Sequence, residues 1–183
     1  MIRGCVVGMS ADPAGDGAFS RMERLLGQAI EDGVLGVSTG LIYPPGSMTG
    51  AGELIRLMES AVRLSAGARP VYASHMRNEG KDIHTAIDEA IRIGTQAGCP
   101  VQVSHLKCQE RSNWGRSAEV IQRISNARSA GLDITADMYP YLFLSTLLAV
   151  ILTHPEGDPE KIIVSKSLMP DGRLWDEVVG RSL

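Results

Sequence analysis

The chain is short of aromatic residues, of cysteine and of net charge. Only 4% of its 183 residues are aromatic, and 18 basic residues stand against 21 acidic ones for a formal charge of -3. Without a basic stripe, or rings on which bases could stack, nucleic acid is a poor partner. Three cysteines, Cys5, Cys99 and Cys108, make neither a CxxC pair nor an even disulfide framework. No basic segment leads into an apolar stretch near residue 1, so the composition reads as a reduced, cytoplasmic protein. The one long apolar run, Leu142 to Leu152, covers 11 residues including Ser145 and Thr146, against roughly 20 for a bilayer crossing. A membrane is therefore not an expected partner, and the run reads as buried core. Phosphate-binding signatures are missing too: Gly33, Gly36 and Gly40 do not fit GxGxxG, and there is no P-loop ending.

What the chain does have is a regular alternation of short apolar runs with amphipathic segments. Its 44% hydrophobic content and 21% charge suit one soluble globular core. The pattern predicts strands at Ile2 to Val7, Val34 to Ser38, Pro70 to Ser74, Val101 to Ser104 and Leu132 to Met138. Helices are predicted at Ala18 to Asp32, about Glu53 to Ser65, Ile83 to Ala97 and about Ser117 to Ala130, with Gly33, Gly98 and Gly131 as stop signals. Strands that alternate with helices at such a spacing mean a parallel α/β sheet. A doubly wound sheet and a partial (β/α)8 barrel both fit, whereas a closed barrel usually needs about 250 residues.

In either architecture, chemistry belongs at the carboxyl ends of the strands. Ala73-Ser74-His75 and Val103-Ser104-His105 each end an apolar run with a histidine, 30 residues apart, which sets two imidazoles on one rim. Neighbouring strands lie about 5 Å apart, so the two can approach one ion that bonds each nitrogen at about 2.1 Å. Tyr43, Lys107, Asp137 and Tyr139 fall on the same rim. Cys108 could add a thiolate, although an incidental loop cysteine is the simpler reading. His84, in a predicted helix, and His154, in a Pro/Gly-rich loop, read as surface residues. The methionines Met22, Met48, Met58 and Met76 read as packing. Period-two alternation puts Val71, Ala73 and His75 on one face and Tyr72 and Ser74 on the other, with Gln102 and Ser104 likewise opposite His105. If the histidines face inward, these polar groups face the helices and need hydrogen-bond partners.

Five ordered motifs then carry a resemblance: Gly36-Val37-Ser38-Thr39-Gly40-Leu41-Ile42-Tyr43-Pro44-Pro45-Gly46, Ser74-His75-Met76-Arg77-Asn78-Glu79-Gly80, Ser104-His105-Leu106-Lys107, Asn113-Trp114-Gly115 and Ala136-Asp137-Met138-Tyr139-Pro140-Tyr141. Together they resemble the D-aminoacylases, or N-acyl-D-amino-acid deacylases, of the amidohydrolase superfamily, from about residue 1 to 141. The resemblance implies a zinc-dependent hydrolase on a (β/α)8 barrel that cleaves the amide of a small-molecule N-acyl-D-amino acid. It implies His75 and His105 as zinc ligands, and Tyr43, Lys107 and Tyr139 as substrate-binding residues, Lys107 and Tyr139 at the substrate carboxylate.

The chain is expected to begin after the family's His-x-His pair and cysteine ligand, which Cys5 does not match, and to end before the strand with its catalytic aspartate. Lys161-Ile162-Ile163-Val164-Ser165 resembles a later family strand. Residues 1–141 are thus expected to form a partial metal-dependent hydrolase barrel of about five strand-helix units. Residues 142–183 are expected to form a C-terminal segment that adds a further strand and helix. Water activated on a metal loses most of its catalytic power without a base and in an open site. Two alternatives follow: an inactive remnant acting as a binding or assembly module, its sheet edges covered by a partner or a second copy, and an amidohydrolase of different amide specificity.

Overall fold

The computed structural model describes residues 2–141 together with 145 and 146. By contacts the chain divides into two units, Met1–Pro140 and Tyr141–Leu183, and the fold described here is that of the first. The predicted run Leu142 to Leu152 (apart from residues 145 and 146), His154, the strand-like segment Lys161 to Ser165 and the proposed C-terminal segment all lie outside the described residues.

Four strands form one parallel sheet in chain order: β1 (Gly36–Gly40), β2 (Val71–His75), β3 (Val101–Val103) and β4 (Ile134–Ala136). Helices stand before and between them: α1 (Ile2–Val6), α2 (Asp16–Glu31), α3 (Ala51–Leu64), α4 (Ile83–Ala97) and α5 (Ser117–Ser129). This is the α/β alternation that the pattern predicts, arranged as a section of a (β/α)8 barrel wall. The predicted α4 bounds match the observed ones, and the others differ by a few residues.

The first predicted strand is a correction, since Ile2–Val6 is helical. Its β-branched residues suggest a strand, but tertiary contacts decide the backbone. The helical turn lets Ile2 and Val6 pack on the core while Arg3, 9% exposed, reaches Glu53 of α3 at 3.0 Å. The same guanidinium donates to the carbonyls of Ser10 and Asp12 at 2.9 and 2.8 Å. A buried cation needs such a set of acceptors, and the sheet therefore has four strands among the described residues.

Each helix turns its apolar stripe inward. In α2 the buried residues are Phe19, Met22 and Leu26; in α4 they include Ile83, Ala86, Ile87, Ala90, Ile93 and Ala97, the three- and four-residue spacing of one helical face. Each Ile or Leu so buried contributes about 1.5–3 kcal/mol of transfer free energy. Met22, Met58 and Met76 are core residues, each 1% exposed, whereas Met48 is exposed. Glycine is required by geometry at several positions, two of them in or beside the sheet and its helices. Gly98 closes α4 with φ +68, and a Cβ on Gly36 would collide with the backbone of Val71 on the neighbouring strand.

The register separates the two faces of the sheet. Val37, Tyr72, Val101 and Ile134 form one row across the strands, and Thr39, Ser74, Val103 and Ala136 form another. Tyr72, Val101, Val103 and Ile134 from these rows are at most 1% exposed, so this is the helix-covered face. The row between them, Ser38, Ala73, Gln102 and Thr135, points the other way with Gly40 and His75. Gln102 thus shares the face of His75, a correction to the simple alternation, and Val103 takes the helix side.

The polar pair under the helices is satisfied internally. The Tyr72 hydroxyl lies 3.0 Å from Thr39 Oγ1, which donates to Ser74 Oγ at 3.1 Å. Burial pushes the Tyr72 phenol above its usual value.

Two tethers hold the loops. Arg77, just after β2, makes two bonds of 3.0 Å to the Glu89 carboxylate on α4 and donates to the carbonyls of Ser47 and Thr49 at 2.9 and 2.7 Å. It thereby fixes the β1–α3 loop that carries Tyr43. Between α2 and α3, Glu23 accepts from Ser60 Oγ at 2.6 Å and from Arg63 at 2.7 Å, and the Ser60 and Arg63 bonds hold its carboxyl below the ordinary 4.5.

Tyr72→Phe is expected to lower unfolding free energy by about 1 kcal/mol, the net worth of one buried hydroxyl bond, as read from urea denaturation. Because the folded state holds Glu23 more acidic than the unfolded chain, its contribution is complete above about 4.5 and fades as pH falls through the lowered folded value. A Glu23→Gln variant should accordingly melt below wild type at neutral pH and converge with it in acid.

Candidate metal centre

His75 is the last residue of β2 and pairs with Gly40 across the ladder, which fixes its Cα at the carboxyl rim. His105 lies two residues beyond β3. Regular alternation would give it the helix side of Val103, but its φ of +42 places it in the left-handed region, uncommon outside glycine and costly by about 1–3 kcal/mol. That turn reverses the direction of the side chain. Asp137, beyond β4, holds the turn: its Oδ1 accepts the His105 backbone N–H at 3.0 Å, and its backbone carbonyl accepts the Leu106 N–H at 2.8 Å. The same Oδ1 accepts from Gln102 Nε2 at 2.8 Å.

The two imidazoles consequently meet edge to face, their centroids 4.4 Å apart. Tyr43 also meets His75 edge to face, with 5.2 Å between ring centres. Lys107 Nζ stands 5.6 Å over the Tyr139 ring. All five site residues that the resemblance implies, Tyr43, His75, His105, Lys107 and Tyr139, are thus linked by successive contacts along one rim.

The sequence reading gave no role to Glu79. Its side chain is 2% exposed, with Oε1 at 3.1 Å from His105 Nδ1 and Oε2 at 2.5 Å from Lys107 Nζ. His75, Glu79 and His105 present ligand-type atoms all within 4.8 Å of one another, the one such group of three among the described residues. Cys108 is outside it, and burial pushes its thiol up, away from the thiolate a metal needs. One signal could have found Glu79: an acid four residues after a strand-end histidine, in a loop that starts on the site rim.

The donor set fits a divalent cation on an observation independent of motif. Nε2 of His75 is buried and has no hydrogen-bond partner, a cost of about 1–3 kcal/mol for a polar atom unless something coordinates it. Burial, followed by the positive fields of His105 and Lys107, lowers the His75 pKa to about 4. The ring is therefore neutral near pH 7 and offers a lone pair, as metal ligation requires.

His84, read from sequence as a surface residue, is partly exposed and bonded. Its Nε2 lies 2.8 Å from Arg116 and 3.2 Å from Glu119, and it ties α4 to α5. No helix among the described residues is long and apolar enough to cross a membrane.

No family model matches the chain. Individual relatives do. An N-acyl-D-glutamate deacylase of Alcaligenes xylosoxydans xylosoxydans is 42% identical over 127 residues, 69% of this chain and 25% of the relative. The crystal structure of an N-acyl-D-glutamate deacylase from Bordetella bronchiseptica, complexed with zinc and a phosphonate mimic of the tetrahedral intermediate, superposes with a TM-score of 0.79 at 34% identity. It covers 94% of this chain and 34% of that one. A D-aminoacylase variant in complex with copper chloride gives a TM-score of 0.82 at 32% identity, over 99% of this chain and 35% of that one. The chain spans between a quarter and a third of the length of the curated relatives it matches. In sequence and in fold, the chain belongs to the D-aminoacylase family of N-acyl-D-amino-acid deacylases.

Proposed function

We infer that this chain provides the central rim of a zinc-dependent hydrolase acting on the amide bond of N-acyl-D-amino acids. The observation that carries the reading is the buried, unpartnered Nε2 of His75 beside His105, in a family whose relatives are deacylases of this class. His75 and His105 are assigned as zinc ligands, one from the last residue of β2 and one from the turn two residues beyond β3. Zinc, when bound, supplies a Lewis acid for the acyl carbonyl and lowers the pKa of water toward 7.

The protein's own groups bind and orient. Lys107 is cationic and 14% exposed, so a substrate carboxylate that reaches it forms a charge-assisted bond in a site partly shielded from water. Tyr139 lies under the same ammonium, and burial together with the nearby Glu79 charge pushes its phenol up. It stays protonated and can donate to the same carboxylate. Tyr43, held on the loop that Arg77 clamps, stands against the His75 ring and contacts the substrate there. An anionic D-amino acid thereby has one cation and two hydroxyls to orient it against the metal.

Elemental analysis of the purified chain is expected to show about one zinc, lost in the His75→Ala, His105→Ala double variant; zinc retained by that variant would refute the two-histidine site. Lys107→Met is expected to keep the zinc and to weaken binding of an N-acyl-D-glutamate probe by roughly ten- to hundredfold, the equivalent of about 1.5–3 kcal/mol for a charged hydrogen bond. Calorimetric titration of the zinc-loaded chain checks it.

A further inference from the structure

Glu79 is part of the cluster at the rim, but its geometry is not that of a free ligand. Both carboxylate oxygens are engaged, one with His105 and one with Lys107, and only 2% of the side chain is accessible. The hydrogens can be placed by elimination. Lys107 Nζ lies 3.1 Å from His105 Nδ1 and 3.0 Å from the His105 carbonyl, and Glu79 Oε1 lies 3.1 Å from the same Nδ1.

If Nδ1 held a lone pair for the ammonium, it would face the Glu79 carboxylate lone pair to lone pair, inside a site with little water. If Nδ1 carries the proton, it donates to Glu79 Oε1. Lys107 then donates to Glu79 Oε2 and to the His105 carbonyl, and every contact but one is attractive. The Nδ1–H arrangement therefore satisfies the carboxylate, and it leaves Nε2 of His105 as the lone pair. A histidine that gives its second ring N–H to a carboxylate is a more basic and better oriented metal ligand.

We propose that Glu79 is a positioning residue that sets both the metal-facing nitrogen of His105 and the direction of the Lys107 ammonium. The role rests on the metal reading above and extends it to substrate recognition. One carboxylate couples the ligand to the cation: two of the three Lys107 donors are used on Glu79 and on the His105 carbonyl, and the third is left for an anionic group of the substrate. The backbone supports the arrangement, because the Glu79 carbonyl accepts the Gln109 N–H at 2.8 Å. This joins the loop after β2 to the loop after β3, the two segments that must keep His75, His105 and Lys107 in register.

The test is the ring tautomer of His105 in the metal-free, 15N-labelled full chain, read by long-range proton–nitrogen NMR, followed by zinc affinity from chelator competition. Wild type is expected to show Nδ1–H. Lys107→Met, which leaves the Glu79–His105 contact in place, is expected to keep it. Glu79→Leu combined with Lys107→Met exchanges the buried ion pair for apolar groups that can pack. That double variant should lose the tautomer preference and bind zinc roughly 10–100-fold more weakly than Lys107→Met alone. A purely structural Glu79 would move the melting temperature and leave tautomer and affinity unchanged. An Nε2–H tautomer in wild type, or an unchanged tautomer in the double variant, overturns the proposal while zinc binding stands. Absence of zinc binding in wild type overturns the metal reading itself, and this role with it.

Discussion

Everything at the rim depends on four strands paired in parallel and in register. A parallel pair cannot be joined by a tight turn, so each strand must be followed by a crossover, here a helix. The crossovers bring every strand back in the same direction, and all carboxyl ends arrive at one edge. The pairing of Gly40 with His75, and of Val103 with Ala136, is therefore the constraint that gathers residues from four separate loops. The helices supply the means to hold it, through apolar faces such as Ile83, Ile87 and Ile93 that share one buried core with Tyr72, Val101 and Val103.

On that rim the electrostatics are tightly coupled. A carboxylate as buried as Glu79 costs several kcal/mol unless it is paired and hydrogen-bonded, and Lys107 with His105 meets that requirement. The same ammonium, with the His105 ring and with burial as the main cause, disfavours protonation of His75. A histidine kept neutral with an unsatisfied nitrogen is poorly suited to a merely structural role, and well suited to ligation. The cost of such a site is carried by the rest of the domain, including the strained backbone at His105 and the Asp137 bonds that hold it.

The polar residues of the sheet show how the two faces are reconciled. Tyr72, Thr39 and Ser74 look out of place beneath helices when read along one strand. They satisfy one another because parallel registry sets Thr39 directly beside Ser74. Gln102 is likewise satisfied from neighbouring elements, by Asp137 and by Thr135. These contacts link residues more than 30 positions apart and have no periodic signature.

The sequence by itself determined the α/β class, the four strands of the sheet, the main helices and the rim position of Tyr43, His75, His105, Lys107 and Tyr139. Those features are local: apolar period, helix stop signals and the last residue of a run depend on near neighbours along the chain. Tertiary structure alone decided that Ile2–Val6 is a helix, since Glu53 lies 50 residues from the Arg3 it holds. It alone decided the face of His105, because one left-handed residue overrides alternation and is stabilised by a carboxylate 32 residues away. Glu79 belongs with these. Its place in the chain is legible, but a carboxylate becomes a buried hub only when folding removes it from water and brings His105 and Lys107 to its two oxygens.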